Sequence, residues 1–407
     1  MASSIRRSIR RYANELYPAS ARGGQNRGPD HAPAARAVSA ALAVLVSAAP
    51  ALAGCGRPGS VSPAPAPAPV PAPAPVPAAA LDRPAAPGPA TSPQRWTVGL
   101  QAIVEPTDGY RSVERLIAGA RRSVDMSMYE LADDEVQSLL IAAHRRGVAV
   151  RVLLDRAYHG EAVNRVAFDA LESARVPVRW SWRSTIDHEK VVVVDDQKAA
   201  VMTGNLTARY CATTRDFVVS VGNQPMVAAI ESTFSQDWRG LPVTASWPEH
   251  FRRGSPGVLL WSPGAGNSLV QLIESARDSV LLETEEIGSQ PIESALEAAA
   301  HRGVTVRLIM TIDPPSARAL RGLAAAGVQE YIHPPGAGAL YTHAKAVVID
   351  DRTAFVGSEN LSTSSLTTNR ELGVITGDPA VVGPVEATLL SDLGDAGPSR
   401  SPVEVGG

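Results

Sequence analysis

Two short stretches of this chain set a histidine and a lysine two residues apart at the head of an apolar run. His188-Glu189-Lys190 leads into Val191–Val194 and ends on Asp195, and His343-Ala344-Lys345 leads into Ala346–Ile349 and ends on Asp350. Both fit His-x-Lys-x4-Asp. The runs consist of β-branched or small residues, so each motif opens a buried strand. Residues two apart on a strand share a face, which puts His188 with Lys190 and His343 with Lys345. Asp195 and Asp350 fall on the opposite parity and read as structural, fixing the strand end or the turn. An imidazole can attack phosphorus or carry a proton, and an ammonium can neutralise an anion, so the pairs suit cleavage of a phosphate ester.

The downstream polar residues repeat at fixed offsets. Thr203 and Ser358 lie 15 residues past their histidines, Asn205 and Asn360 17 past, and Asp216 and Glu371 28 past. Arg215 and Arg370 precede the last two. Lysine usage points the same way. Of 38 basic residues only Lys190, Lys198 and Lys345 are lysine, and two of these three are in the motifs. A compact ammonium is retained where a planar guanidinium would not serve.

Stepping outward, Ser123–Glu130, Ala142–Val152 and Glu189–Asp196 are echoed by Ser279–Glu286, Ala299–Leu308 and Ala344–Asp351, a period of about 155 residues that suits a duplicated domain. Each half alternates strands and helices. In the first, helical spacing runs over Tyr110–Ala120, a strand over Val124–Met128, a helix over Asp134–Arg146 and a strand over Val148–Leu154, with Gly147 and Gly303 where helix C-caps belong. This is an α/β pattern, its apolar strands covered on both faces. Pro-containing Leu241–Gly257 joins the halves.

The doubled motif, with Gly357-Ser358-Glu359-Asn360 in the second half and Met202-Thr203-Gly204-Asn205 in the first, resembles the phospholipase D superfamily over roughly 300 residues. Met202 departs from the family pattern, where a glycine leads. The resemblance implies two phospholipase D-like α/β/α sandwich domains, 95–245 and 246–395, packed about a pseudo-two-fold axis, with a flexible tail over 396–407. It implies that His188 attacks phosphorus while His343 protonates the leaving oxygen. Lys190, Lys345, Asn205 and Asn360 then neutralise the phosphoryl oxygens, with Thr203 and Ser358 beside them. It further implies that Asp216 orients His188 and Glu371 orients His343. No metal and no cofactor is expected. Cys55 and Cys211, the only cysteines, exclude a disulfide framework and a cysteine-built zinc site.

The first 55 residues read as a lipoprotein-type signal. Arg6, Arg7, Arg10, Arg11, Arg22, Arg27 and Arg36 precede an apolar run over Ala37–Ala51, and Leu52-Ala53-Gly54-Cys55 resembles a lipobox with Cys55 as the lipid attachment. Residues 56–94, dominated by Pro and Ala, read as a disordered polyproline stalk reaching on the order of 100 Å. The expected protein is therefore exported and lipid-anchored on the outer face of a cell membrane, or secreted, and monomeric. The leading expectation is hydrolysis of a glycerophospholipid to phosphatidic acid and a headgroup alcohol. The alternatives are a cardiolipin synthase-like phosphatidyltransferase and an exported nuclease or other phosphodiesterase. A net charge of −3 weighs against a nucleic-acid substrate. Among the remaining residues, His144 and His301 sit at helix ends, and His159, His250 and His333 have no partner pattern. Trp180, Trp182 and Tyr341, just upstream of the motifs, read either as lining the substrate mouth or touching lipid, or as core or rim packing, and Cys211 packs as a small apolar residue.

Overall fold

The computed structural model describes residues 99–209, 211–241, 257–311, 314–333 and 340–396. The signal, stalk, tail beyond 396, most of the Leu241–Gly257 connection and His250 lie outside the described residues. The described residues belong to a single unit beginning at Ala86.

The first half comprises strand β1 (Leu100–Glu105), helix α1 (Arg111–Ala118), β2 (Ser123–Met128), α2 (Asp134–Arg145), β3 (Ala149–Leu154), α3 (Gly160–Ser173), β4 (Val178–Trp180), β5 (Lys190–Val194), β6 (Lys198–Met202), β7 (Thr214–Val221) and α4 (Gln224–Trp238). The second comprises β8 (Val258–Ser262), α5 (Ala265–Glu274), β9 (Ser279–Thr284), α6 (Gln290–His301), β10 (Thr305–Thr311), α7 (Ala317–Ala325), β11 (Gln329–His333), β12 (Lys345–Ile349), β13 (Thr353–Gly357), β14 (Glu371–Thr376) and α8 (Pro379–Ala396).

Local chemistry explains the boundaries. Asp133 accepts the Val136 N–H to cap α2, and Asn223 accepts that of Met226 to cap α4. Gly147 and Gly303 end α2 and α6 at φ 89° and 87°, a region that costs any residue with a Cβ.

Each half forms one mixed sheet. The orders are β1-β7-β6-β5-β2-β3-β4 and β8-β14-β13-β12-β9-β10-β11, the same order twice. Within these two strand orders, pairing is parallel among β2, β3 and β4 and among β9, β10 and β11, and antiparallel elsewhere. The motif strands explain why both sheet faces are apolar. Val192 and Val194 enter an outer core beneath α1, α2 and α3, while Val191 and Val193 enter a central core. In the second half Val347 and Ile349 face outward and Ala346 and Val348 face the same central core. That central core also takes Met226, Val227 and Ile230 of α4 and Val381, Val385 and Leu389 of α8. The two duplicated α/β domains thus share one apolar interior, and helix α8 packs on β1 of the first half as well as on its own sheet. Among the described residues no helix is long and apolar enough to cross a membrane.

Candidate active site

Lys190 and Lys345 open their strands opposite Met128 and Thr284, the last residues of β2 and β9, so both motifs emerge at the ends of these strands. The residues just before each motif cross to the other half. Asp187 bridges to Arg370, and the His188 N–H donates to the Arg370 carbonyl at 2.8 Å. Tyr341-Thr342 pairs with Thr214-Arg215 of β7, and the His343 N–H donates to the Arg215 carbonyl at 3.3 Å. The exchange is reciprocal, as a pseudo-two-fold relation requires. It also places each histidine beside the residue that follows the other half's arginine. His188 Nδ1 lies 2.7 Å from Glu371 Oε2, and His343 Nδ1 lies 2.9 Å from Asp216 Oδ1.

This corrects the pairing that the resemblance implied. Asp216 orients His343 and Glu371 orients His188, each carboxylate serving the other half. The reason is the backbone exchange, which no spacing within one half reveals.

Both carboxylates are fixed by the hydroxyls expected beside them. Thr203 Oγ1 donates to Asp216 at 2.6 Å and accepts the Phe217 N–H. Ser358 Oγ donates to Glu371 at 2.7 Å and accepts the Leu372 N–H, and Ser365 Oγ and Asn369 complete the second oxygen of Glu371. Thr203 and Ser358 are therefore positioning residues. The Met202 departure also has a cause. Gly357 faces Gly373 across the sheet, and a Cβ at Gly357 would stand 2.3 Å from Glu359 Oε2. The first half has Gly204 in place of Glu359, so Met202 and its partner Val218 fill the space with side chains.

Charge is concentrated without solvent. Lys190 and Lys345 are each 1% exposed. Burial first, then the Lys345 charge, brings the Lys190 ammonium down to about 8. The crossed histidine–carboxylate contacts bring both halves to one site. Burial lowers His188 as well, against the pull of Glu371, and favours a neutral ring. Burial works to raise Glu371, but His188 and Lys190 outweigh it and hold it below the ordinary carboxylate range.

Four further side chains reach the site without having been singled out from the sequence. Tyr129 meets the His188 ring edge-on at 4.5 Å and lies 5.0 Å below Lys190 Nζ. Glu285 binds Lys345 Nζ at 2.9 Å. Glu130 accepts from Asn205 Nδ2 at 3.3 Å and pairs with His159 Nε2 at 2.8 Å. The signal for three of them was the repeat itself, where Met128-Tyr129-Glu130 stands against Thr284-Glu285-Glu286. His159 gave no sequence signal.

A family model described as "Cardiolipin synthase, PLD-like domain" matches residues 113–238 and 269–393, the greater part of the chain and both halves of the site. The chain belongs to this phospholipase D-like family. Cardiolipin synthase A of Pseudomonas syringae pv. syringae is 27% identical over 332 residues, covering 72% of this chain and 68% of that protein. Cardiolipin synthase A of Pseudomonas aeruginosa is 27% identical over 335 residues, covering 73% and 67%. Among solved structures, phosphatidylserine synthase of Haemophilus influenzae aligns over 75% of this chain and 88% of its own at TM-score 0.59 and 11% identity. Polyphosphate kinase of Porphyromonas gingivalis aligns over 72% and 50% at TM-score 0.54 and 18% identity. The last two are likenesses of fold.

Within this phospholipase D-like frame the motif aspartates close the strands. Asp195 and Asp350 adopt φ 57° and 51° in the turns after β5 and β12. Asp195 accepts the backbone N–H groups of Arg121, Arg122 and Ser123, and Asp350 those of Arg277, Asp278 and Ser279. Each staples the motif strand to the start of β2 or β9. Replacing Asp350 with alanine loses three charge-assisted bonds and puts a Cβ without a compensating side-chain bond at positive φ. A loss of about 2–4 kcal/mol is expected by denaturant unfolding, with Asp350→Asn much milder because asparagine tolerates that φ.

The buried Lys190 predicts a pH limb. Its charged form neutralises phosphate only below its pKa, so kcat/KM should fall as pH rises through about 8. A rate profile flat to pH 10 would remove Lys190 from that role. Trp180 stacks on Phe168 at 4.2 Å, and both Trp180 and Cys211 are half-buried against the outer core of the first half.

Proposed function

We propose that this protein is a phosphatidyl-transferring enzyme that opens a glycerophospholipid phosphodiester through a phosphohistidine and passes the phosphatidyl group to an alcohol, with water as a competing acceptor. The observation that carries the reading is the crossed pair, His188 on Glu371 and His343 on Asp216, which gives one site two imidazoles, each oriented at Nδ1. Such a pair suits attack by one ring and proton delivery by the other. Lys190, Lys345, Asn205 and Asn360 supply the positive and polar groups that a phosphoryl transition state needs. Transfer is preferred to hydrolysis because the relatives matched over two thirds of their length are named cardiolipin synthase A. One chain supplies both halves, so a monomer suffices. Anchoring through Cys55 would hold the site beside its lipid, and Cys55→Ala would then move the chain from the membrane to the soluble fraction.

The test uses the purified full chain with vesicles of phosphatidylglycerol, with and without EDTA. Cardiolipin is expected as the main lipid product, with glycerol equal to the sum of cardiolipin and the minor phosphatidic acid, unchanged by EDTA. Phosphatidic acid as the dominant product would return the reading to hydrolysis, and absence of lipid turnover would overturn it.

A further inference from the structure

The near-symmetric site differs in chemistry where each half approaches its motif lysine. The residue after β2 is Tyr129 and the residue after β9 is Glu285, each one step beyond the partner of a motif lysine. Tyr129 offers His188 and Lys190 an aromatic ring. Glu285 offers a carboxylate. Its Oε2 lies 2.9 Å from Lys345 Nζ, 3.4 Å from His343 Nε2 and 3.5 Å from Asn360 Nδ2, and its Oε1 accepts the Tyr341 hydroxyl at 3.1 Å. His343 is thus flanked by carboxylates at both nitrogens, Asp216 at Nδ1 and Glu285 at Nε2. Only the doubly protonated ring presents a proton to each. Among the described residues His188 has a carboxylate on Nδ1 alone. A neutral ring that donates its Nδ1–H to Glu371 keeps the Nε2 lone pair for attack.

We propose that Glu285 is a positioning residue that accepts the Nε2–H of His343 and so presents that proton to the site, and that this one carboxylate, replaced by Tyr129 in the other half, divides the two histidines into attacker and acid. The inference rests on the phosphodiester chemistry proposed above. His188 Nε2 forms the bond to phosphorus, and the bond to the leaving oxygen breaks with its electron pair. That oxygen takes the Nε2 proton of His343. The neutral His343 then removes the proton of the incoming alcohol, whose oxygen bonds to phosphorus as the bond to His188 breaks.

The charged groups around His343 support the assignment. Asp216 faces it from β7, Glu285 from the end of β9 and Lys345 from its own strand. Behind Asp216 stand Arg215 and Glu283, and across the site lie His188, Glu371 and Lys190. Glu130, another carboxylate near the site, is taken up by His159 and Asn205, and Glu189 and Glu359 lie on the Lys190 and Glu371 side. Burial works to raise Glu285, yet His343 and Lys345 hold it far below the ordinary carboxylate range, so it stands as a fixed negative charge.

The test has two arms. In the first, side-chain NMR follows the ring N–H protons of the eight histidines in the resting full chain, with His343→Ala assigning its signals. Glu285→Gln should weaken or remove the hydrogen-bonded Nε2–H signal of His343, and Glu285→Asp should restore part of it. In the second, Glu285→Gln is compared on two substrates. Phosphatidylglycerol, whose leaving alkoxide needs a proton, should turn over about 10²-fold slower or worse. Phosphatidyl-p-nitrophenol, whose leaving group needs none, should lose much less. An unchanged His343 Nε2–H signal, or equal loss on both substrates, overturns the proposal. If the wild-type chain cleaves neither lipid, the phosphodiesterase reading fails while the NMR signal still decides the role of Glu285.

Discussion

Alanine at His188 should abolish turnover and covalent labelling together, whereas alanine at His343 should abolish turnover and leave labelling by a nitrophenyl phosphodiester intact. The expected loss in kcat is on the order of 10⁴–10⁶-fold for either, because each removes a group that acts as part of a unit. The covalent phosphohistidine, detected after an acid-free quench, separates them. Without His188 there is no nitrogen to bond phosphorus. Without His343 the bond still forms when the leaving group departs unaided, and the intermediate then persists because no base activates the acceptor.

The crossed carboxylates sharpen this prediction. Glu371→Gln should slow formation of the label by roughly 10²- to 10⁴-fold, since Glu371 serves His188. Asp216→Asn should leave formation with the nitrophenyl substrate close to normal and slow its breakdown, since Asp216 serves His343. The two phenotypes would be exchanged if each carboxylate served the histidine of its own half. A label recovered on His343 in the wild-type chain would reverse the assigned roles.

The sequence made much of this legible, and its failures have physical causes. The β-branched runs after Lys190 and Lys345 disclosed two buried strands, because a run apolar on both parities requires cover on both faces. Helices α1 and α2 lie within a residue or two of where apolar spacing and caps put them. The motif aspartates were legible as structural from their parity alone. The carboxylate pairing was misassigned for a different reason. A duplicated chain states what each half contains but not whether the halves exchange their edges, and the exchange at Asp187–Arg370 and Tyr341-Thr342 depends on tertiary contact. Glu285 was visible as a residue and silent as a function. Aligning the repeats emphasises what recurs, and its significance lies in not recurring.

Arg370 ties the two halves together from a buried position, and its loss should cost more stability than that of a surface charge. The side chain is 1% exposed. Its Nε donates to Asp237 Oδ2 at 2.9 Å and lies 3.1 Å from Glu189 Oε1, so an arginine of the second half neutralises a helix α4 carboxylate and a motif carboxylate of the first. Arg215 makes the mirrored tie to Asp392 of α8 at 2.6 Å. Asp187 completes the cluster. Burial holds it well above the ordinary range, and burial raises Glu189 to about 7 against the Arg370 charge. Arg370→Met keeps the bulk and removes the charge, leaving Asp237 and Glu189 buried without a counter-ion. Breaking such a buried pair costs about 3–5 kcal/mol. The sign of the pH dependence follows from these carboxylates. Their folded pKa values are raised above the unfolded ones and rise further in the variant, so the folded state binds more protons and the deficit grows as pH rises from about 4.5. Denaturant unfolding should therefore show Arg370→Met most deficient near pH 8 and partly recovered near pH 5.5. A deficit independent of pH would locate the cost in packing, and a deficit below about 1 kcal/mol would mean that the network does not hold the halves together.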